Sequence, residues 1–273
     1  MQSHRMGLLR SGNFDLVCQG FSAPLDQQKG TVFVVHGYFD HTGLYSHLIK
    51  HCLQKGLTVV AFDLPGHGLS SGESASIDSF NQYSDALLRV ISEADYQQVN
   101  KPWYAIGQST GAAVIVNAIV ENKFPLRDFE SSVFLAPLVY PKHWVRSCLL
   151  FALVRWFIKE TKRNFTNNSH DREFLNFLRS SDELQSSTLP RDWIIAMMDY
   201  QRRLRHFNTI DYPVNIIQGT EDDTVDWGRN IKQLETKFSG AKTYLIYGGR
   251  HHLVNESHEF REVVLSLIDQ VIE

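Results

Sequence analysis

The chain has 273 residues, of which 43% are apolar and 21% charged, and its formal net charge is −3. This length is enough for one large α/β domain, and the lack of a basic surplus argues against a nucleic-acid partner. Cys18, Cys52 and Cys148 lie far apart, without the spacing of a zinc site or a disulfide framework. Neither a signal-peptide core nor an apolar run of membrane-spanning length is present. We therefore expect a cytoplasmic protein with no integral membrane segment, no metal and no cofactor.

Short apolar runs alternate with helical patterns along much of the chain. The residues 13–21 predict antiparallel edge strands, and strands buried on both faces are predicted at 31–35, 57–62, 103–106, 132–135, 214–217 and 243–247. Helices are predicted at 44–53, 77–91, 112–120 and 227–238, with Ser76 or Asp78 capping the second of them. This alternation indicates an α/β fold with a mostly parallel central sheet and helices on both faces.

The alternation breaks between residues 137 and 211. This segment lacks a convincing strand and is rich in aromatic residues and arginine, with a polar loop predicted at 162–171. We interpret it as an all-helical cap of residues 137–211, inserted into a core made of residues 1–136 and 212–273. Such an insertion must lie over the carboxyl ends of the strands, where open α/β sheets bind ligands.

A Gly-x-Ser-x-Gly pentapeptide stands where the strand at 103–106 meets the helix at 112–120. A serine on such a sharp turn projects its hydroxyl away from the sheet, and the glycines on either side leave room for the neighbouring backbone. The pattern predicts that Ser109, between Gly107 and Gly111, is a nucleophile.

A serine nucleophile needs a histidine to take its proton and a carboxylate to orient that histidine. Two loops that follow predicted strands supply candidates, and both lie on the same edge of the sheet as Ser109. The histidines are His251 and His252, and the acids are Glu221, Asp222, Asp223 and Asp226. Asp226 suits the N-cap of the helix at 227–238 better, but the residue pattern otherwise leaves the acid and the base open.

Three further segments, at 35–45, 63–72 and 249–256, resemble the α/β-hydrolase superfamily. Within it, the chain is most similar to the monoacylglycerol lipase and lysophospholipase branch, grouped with S33-type serine hydrolases. The resemblance implies the α/β-hydrolase fold with a helical cap. It also implies that Asp222 is the acid, in a Gly-x-x-Asp-x-x-Val context, and that His251 is the base.

The resemblance further implies an oxyanion hole made by the backbone N–H groups of Tyr38 and Thr110. Gly37 would leave room for the acyl group, and Phe39 would shape the substrate pocket. Fixed backbone donors suit this role because they need not reorganise as charge develops on the substrate.

The chain departs from the branch at three positions near the expected site. Phe39 and Asp40 stand where the branch usually has glycine and glutamate, and Gln108 stands where it usually has histidine. We expect these changes to alter substrate preference and to leave the mechanism intact. Structural roles are expected for four other polar residues of these segments: His36, His41, Asp63 and His67.

The function implied is hydrolysis of carboxylic esters, with a monoacylglycerol or lysophospholipid as substrate and an acyl-enzyme on Ser109. One alternative is an S33-type aminopeptidase, in which acidic cap residues would hold a substrate ammonium. Its candidates are Glu160, Asp171, Glu173, Asp182 and Glu183. The other alternative is a non-catalytic binding protein on the same fold.

The cap residues 143–159 are too apolar to form a single buried helical stripe, and basic residues flank them. This pattern predicts peripheral contact with an anionic membrane surface. A helix packed on both sides and a dimer contact are the alternatives.

Overall fold

A computed structural model describes residues 3–272 and contains the predicted, mostly parallel sheet. Its eight strands lie in the order β1-β2-β4-β3-β5-β6-β9-β10. Their bounds are β1 Ser3–Ser11, β2 Phe14–Ser22, β3 Gly30–Val35, β4 Leu57–Phe62, β5 Trp103–Gln108, β6 Phe129–Leu135, β9 Val214–Gly219 and β10 Lys242–Ile246. Strand β2 pairs antiparallel with both β1 and β4, and the remaining strands run parallel. An antiparallel strand at residues 13–21 is thus confirmed, but that segment forms one strand, and its partner β1 lies before the predicted range. Residues 1, 2 and 273, the ends of the predicted core, lie outside the described residues.

Helices cover both faces of this sheet, as predicted. Their bounds are α1 Ser46–Gln54, α2 Phe80–Tyr96, α3 Thr110–Val120, α4 Trp144–Val154, α5 Arg172–Ser180, α6 Arg191–His206, α7 Trp227–Glu235 and α8 His258–Ile272. Alternate side chains of a strand point to opposite faces, so Phe33 and Val35 pack with α2, α3 and α6, whereas Val32 and Val34 pack with α1 and α8.

Most of the predicted helix ends shift by a few residues, and the starts of α2 and α7 bear on the predicted caps. Helix α2 begins at Phe80, and its cap is Ser79, whose hydroxyl accepts a hydrogen bond from the amide of Asn81 at 3.2 Å. Neither Ser76 nor Asp78 has this role, because the helix begins only at Phe80, and Ser79 is the residue directly before it. Helix α7 ends at Glu235, and Asp226 occupies its N-cap position without a capping hydrogen bond from its side chain.

The segment 137–211, here called the insertion, leaves the sheet after β6 and returns to it at β9. It carries α4, α5 and α6, but it is not all-helical, because β7 (Glu160–Lys162) and β8 (Thr188–Pro190) form a small antiparallel sheet. Strands of three residues are too short to show an alternating pattern, so the sequence did not reveal them. Helix α6 buries Met197, Tyr200 and Leu204 against α2 and α3 and thereby anchors the insertion to the core.

Two glycines allow β5 to turn directly into α3. A Cβ atom on Gly111 would overlap the backbone carbonyl of Val35 and lie 2.8 Å from that of His36. A Cβ atom on Gly107 would lie 2.6 Å from the carbonyl carbon of Gly111. The turn between them therefore depends on glycine at both positions.

We predict that Gly111→Ala lowers the free energy of unfolding by more than about 2 kcal/mol, because backbone rather than a movable side chain blocks the new methyl group. Urea unfolding followed by circular dichroism measures the change. Gly228→Ala is the matched control, since nothing lies within 4 Å of a Cβ atom at that position of α7. Equal stability of the two variants would contradict the packing argument.

Candidate active site

The loops that follow β3, β5 and β10 line one pocket of about 500 Å³ beneath the insertion. Parallel strands bring their carboxyl ends to the same edge of the sheet, which is why loops distant in sequence meet there. Six of the seven residues predicted for the site line this pocket: Gly37, Tyr38, Phe39, Ser109, Thr110 and His251. The seventh, Asp222, lies in the loop after β9, does not line the pocket, and is bonded to Nδ1 of His251.

Ser109 adopts a backbone conformation that is rare for a residue with a side chain, with φ 52° and ψ −109°. Its amide donates to the carbonyl of Leu135 at 2.8 Å, and its carbonyl accepts from the amides of Ala113 and Leu138 at 3.2 Å. Strained backbone of this kind persists only where the surroundings hold it. Within residues 3–272 its hydroxyl has no protein hydrogen-bond partner, so it is available to a molecule in the pocket.

His251 is bonded to a buried carboxylate. Its Nδ1 donates to Asp222 Oδ2 at 2.7 Å, and Asp222 also accepts from the Gln218 side chain and from the amides of Thr224 and Val225. Burial acts to raise the pKa of Asp222, but the charge of His251 and these hydrogen bonds outweigh burial, so the pKa lies below its ordinary value. The ionised carboxylate fixes the tautomer in which Nε2 of His251 is free to accept a proton.

The other three acids do not contact either histidine of the pair. Asp223 is exposed and forms an ion pair with Lys142, and the carboxylate of Glu221 lies 3.9 Å from His170. Asp226 stands at the start of α7. Of the four acids that the residue pattern left open, only Asp222 is positioned to orient His251.

Gln108 connects the turn at Ser109 to the loop after β10, which carries His251. Its side-chain amide donates to the carbonyl of His251 at 2.9 Å, across the buried interior. This bond fixes the position of the loop after β10 relative to Ser109.

His252 forms a second buried histidine–aspartate pair, which the sequence did not reveal. Its Nε2 lies 3.1 Å from Asp40 Oδ2, and the same oxygen accepts from the hydroxyl of Tyr45 at 2.8 Å. That hydroxyl in turn accepts from the amide of Gly37 at 3.0 Å. Burial acts to raise the pKa of Asp40, but the charge and hydrogen bond of His252 outweigh it and hold the pKa well below its usual range. The pair thus joins the loop after β10, which carries both histidines, to the loop after β3.

The loop after β3 is held in one shape by these contacts. A Cβ atom on Gly37 would lie 2.7 Å from Asp40 Oδ2, so glycine here makes room for the aspartate as well as for the pocket. The carbonyl of Gly37 accepts from His36 Nδ1 at 2.7 Å. Within residues 3–272 the amides of Tyr38 and Thr110 donate to no protein acceptor, which leaves both free to bind an oxygen in the pocket.

The residues expected to be structural have structural contacts. His36 accepts from the amide of Leu64 at 2.8 Å, and Asp63 accepts from the amides of Thr42 and Leu69. Burial lowers the pKa of His67 to about 3. His41 differs in reaching beyond the core, because its Nε2 lies 3.2 Å from both carboxylate oxygens of Asp182 in the insertion.

Comparison with known proteins gives one family and a consistent fold. The model of the family described as serine aminopeptidase, S33, matches residues 26–258. A monoglyceride lipase homolog of Monkeypox virus is 24% identical, and the match covers 90% of this chain and 90% of the viral protein. Human monoglyceride lipase is also 24% identical, and the match covers 91% of this chain and 82% of the human protein. A monoglyceride lipase from Saccharomyces cerevisiae, solved with a substrate analog, superposes with a TM-score of 0.84 at 17% identity, covering 98% of this chain and 94% of its own. The α/β-hydrolase fold is thereby confirmed.

We predict that His252→Ala destabilises the protein by about 3 kcal/mol, because it leaves the buried Asp40 carboxylate without its histidine partner. Chemical unfolding measures this difference. His258→Ala serves as control, since that side chain is 77% exposed and pairs with Glu262, which is itself exposed, and it should change stability by less than about 0.5 kcal/mol. If the two variants were equally stable, His252 would be a bystander.

Proposed function

Because the chain belongs to the serine aminopeptidase S33 family, we propose that it hydrolyses carboxylic esters through Ser109, His251 and Asp222. It is an α/β serine hydrolase related to monoglyceride lipases and esterases. The observation that carries the proposal is a pocket lined by both Ser109 and His251, with His251 bonded to a buried, ionised aspartate.

In the proposed reaction, the hydroxyl oxygen of Ser109 attacks the ester carbonyl while Nε2 of His251 takes its proton. The tetrahedral intermediate then expels the alcohol, which leaves with that proton, and the acyl group stays on Ser109. Water attacks the acyl-enzyme with His251 again as base, and the carboxylic acid departs. Asp222 stabilises the imidazolium that forms in each half of the cycle.

The amides of Tyr38 and Thr110 would bind the oxyanion of each tetrahedral intermediate. Both line the pocket, and neither is engaged by the described chain. A single preorganised donor of this kind contributes about 10²–10³ in rate.

A single-chain lipid suits the pocket because most of its wall is apolar. The insertion supplies eight large apolar side chains of this wall: Leu138, Trp144, Phe151, Leu175, Leu178, Leu189, Trp193 and Ile194. Such a surface fits an acyl chain, and several relatives are named monoglyceride lipases.

The aminopeptidase alternative has less support from the pocket. None of the five acidic residues considered for an ammonium site lines it. The carboxylates that do line it are engaged, Asp40 by His252 and Asp223 by Lys142. An ester therefore fits the site better than a substrate with a free amino group.

We predict that Ser109→Ala lowers kcat/KM for p-nitrophenyl butyrate and 1-oleoylglycerol by more than about 10³, because no acyl-enzyme can form. Steady-state kinetics measure the loss. Ser147→Ala is the matched control, since Ser147 also lines the pocket, and it should stay within about threefold of wild type.

Activity of Ser109→Ala above about a thousandth of wild type would contradict the assignment of the nucleophile. Faster turnover of aminoacyl p-nitroanilides than of esters by the wild type would favour the aminopeptidase. Binding of 1-oleoylglycerol without turnover of any ester would favour the non-catalytic protein.

We also propose that α4 and the residues after it contact a membrane surface from which substrate enters. Within residues 3–272, no helix combines the length and apolar character needed to cross a bilayer. Large apolar side chains nevertheless project into solvent from this part of the insertion: Val145, Leu149, Leu150, Leu153, Trp156 and Phe157. Arg146, Arg155 and Lys159 accompany them without an acidic residue between 142 and 159, a composition that favours an anionic interface.

The same helix also faces the pocket, which supports a route from the surface to the site. Phe151 and Trp144 line the pocket, and the indole N–H of Trp144 donates to Gln201 at 2.7 Å. Substitution of Trp144 would therefore damage the pocket, and only the outward residues can test the membrane contact.

We predict that the double variant Leu149→Gln and Leu153→Gln weakens binding to vesicles of anionic phospholipid at least about tenfold, because it removes two exposed apolar contacts. Vesicle sedimentation measures binding, and hydrolysis of p-nitrophenyl butyrate should remain unchanged. The control is Leu25→Gln, since Leu25 is 89% exposed before β3, at the amino edge of the parallel strands. Equal binding by both variants, or none by the wild type, would contradict the proposal.

A further inference from the structure

Arg163 places a positive charge in the pocket wall beside the loop after β3. It follows β7, and its guanidinium lies 4.1 Å from the ring centre of Phe39 and 4.3 Å from that of Phe165. Its Nη1 donates to the Gln185 side chain at 2.5 Å and to the carbonyl of Ser186 at 3.4 Å. These neutral acceptors and the two rings fix the plane of the group without neutralising it.

No carboxylate of residues 3–272 lies within ion-pair distance of Arg163. Asp40 and Asp182 are the carboxylates whose charges act on the pKa of Arg163, and both already accept hydrogen bonds from other residues. Asp40 is bonded to His252 and Tyr45, and Asp182 to His41 and to the amide of Leu184. Partial burial without a pairing anion lowers the pKa of Arg163, and arginine nevertheless stays charged in proteins.

One further cation on the pocket wall adds to this excess. Arg179 lines the pocket and donates to the neutral side chain of Asn167, and it forms no ion pair with residues 3–272. Lys142 and Asp223 also line it and neutralise each other. A partly buried guanidinium that has hydrogen-bond donors to spare and no ion pair is a common arrangement where proteins bind phosphate or carboxylate groups.

We propose that Arg163 binds an anionic group of the substrate, so that the site prefers single-chain esters with a phosphate or carboxylate in the alcohol portion over neutral ones. Nε and Nη2 of Arg163 have no protein acceptor within the described chain and can form the paired hydrogen bonds that a guanidinium makes with such groups. Phe39, under the guanidinium, directly follows Tyr38, whose amide is the proposed oxyanion donor. The proposed substrate therefore carries its charge a few bonds from the ester, as in an acyl-glycerol phosphate. The inference rests on the proposed ester hydrolysis.

The test compares 1-oleoylglycerol 3-phosphate with 1-oleoylglycerol, which share the acyl chain, in micelles of one neutral detergent. Wild type should prefer the phosphate ester by at least about tenfold in kcat/KM, and in Arg163→Gln the ratio of the two kcat/KM values should fall to within about threefold of one. Arg163→Lys should be intermediate, because it retains charge without the planar fork. Arg146→Gln, on the exposed face of α4, controls for general attraction of anions and should keep the preference.

Calorimetric titration with dodecyl phosphate below its micellar concentration provides a readout that needs no catalysis. Wild type should bind it at least about tenfold more tightly than Arg163→Gln does. Inorganic phosphate should bind far more weakly than dodecyl phosphate, and equal affinities would indicate a site for the free ion and overturn the lipid assignment.

The outcomes separate this inference from the proposed function. An unchanged substrate ratio in Arg163→Gln, or equal losses on both esters, would show a purely structural arginine while ester hydrolysis stands. If wild type hydrolysed neither ester nor p-nitrophenyl butyrate, the proposed function would fail, and the dodecyl phosphate titration would still decide whether Arg163 binds an anion.

Discussion

The turn at Ser109 is the constraint on which the rest of the site depends. The sheet must pass into α3 within one residue, so Gly111 packs against the carbonyl of Val35 and Ser109 takes a positive φ. Hydrogen bonds to Leu135 at the end of β6, to Ala113 of α3 and to Leu138 of the insertion hold this conformation. Because backbone fixes the position of Ser109, the loops after β3 and β10 must be brought to it, and Gln108 binds the loop after β10 directly.

The adjacent residues His251 and His252 join three strands of the sheet. His251 is bonded to Asp222 after β9, and His252 to Asp40 after β3. The amide of His252 also donates to Asn168 of the insertion at 2.8 Å. One dipeptide therefore aligns the His251 side chain, the loop after β3 and the insertion, so a shift in any of them would disturb the others. This coupling explains how loops from distant parts of the chain can form a preorganised site.

Much of the fold could be predicted because its signals are local. Apolar runs mark the buried strands, and the glycines around Ser109 mark the turn. Strands β7 and β8 could not be predicted, because a strand of three residues is too short to show an alternating pattern. Ser79 could not be identified as the cap of α2, because several neighbouring polar residues are equally suited to that role. The residues alone could not separate Asp222 from its neighbours, and the family resemblance was needed. The pairing of His252 with Asp40 joins residues far apart in sequence and has no local signature.

The central claim is that Ser109 is the nucleophile of an acyl-transfer site, and covalent labelling tests it most directly. The native protein would be treated with a fluorophosphonate probe, digested and mapped by mass spectrometry. We predict a single adduct, on Ser109. An adduct on Ser147, the other serine in the pocket wall, or no adduct on protein that hydrolyses esters, would contradict the account.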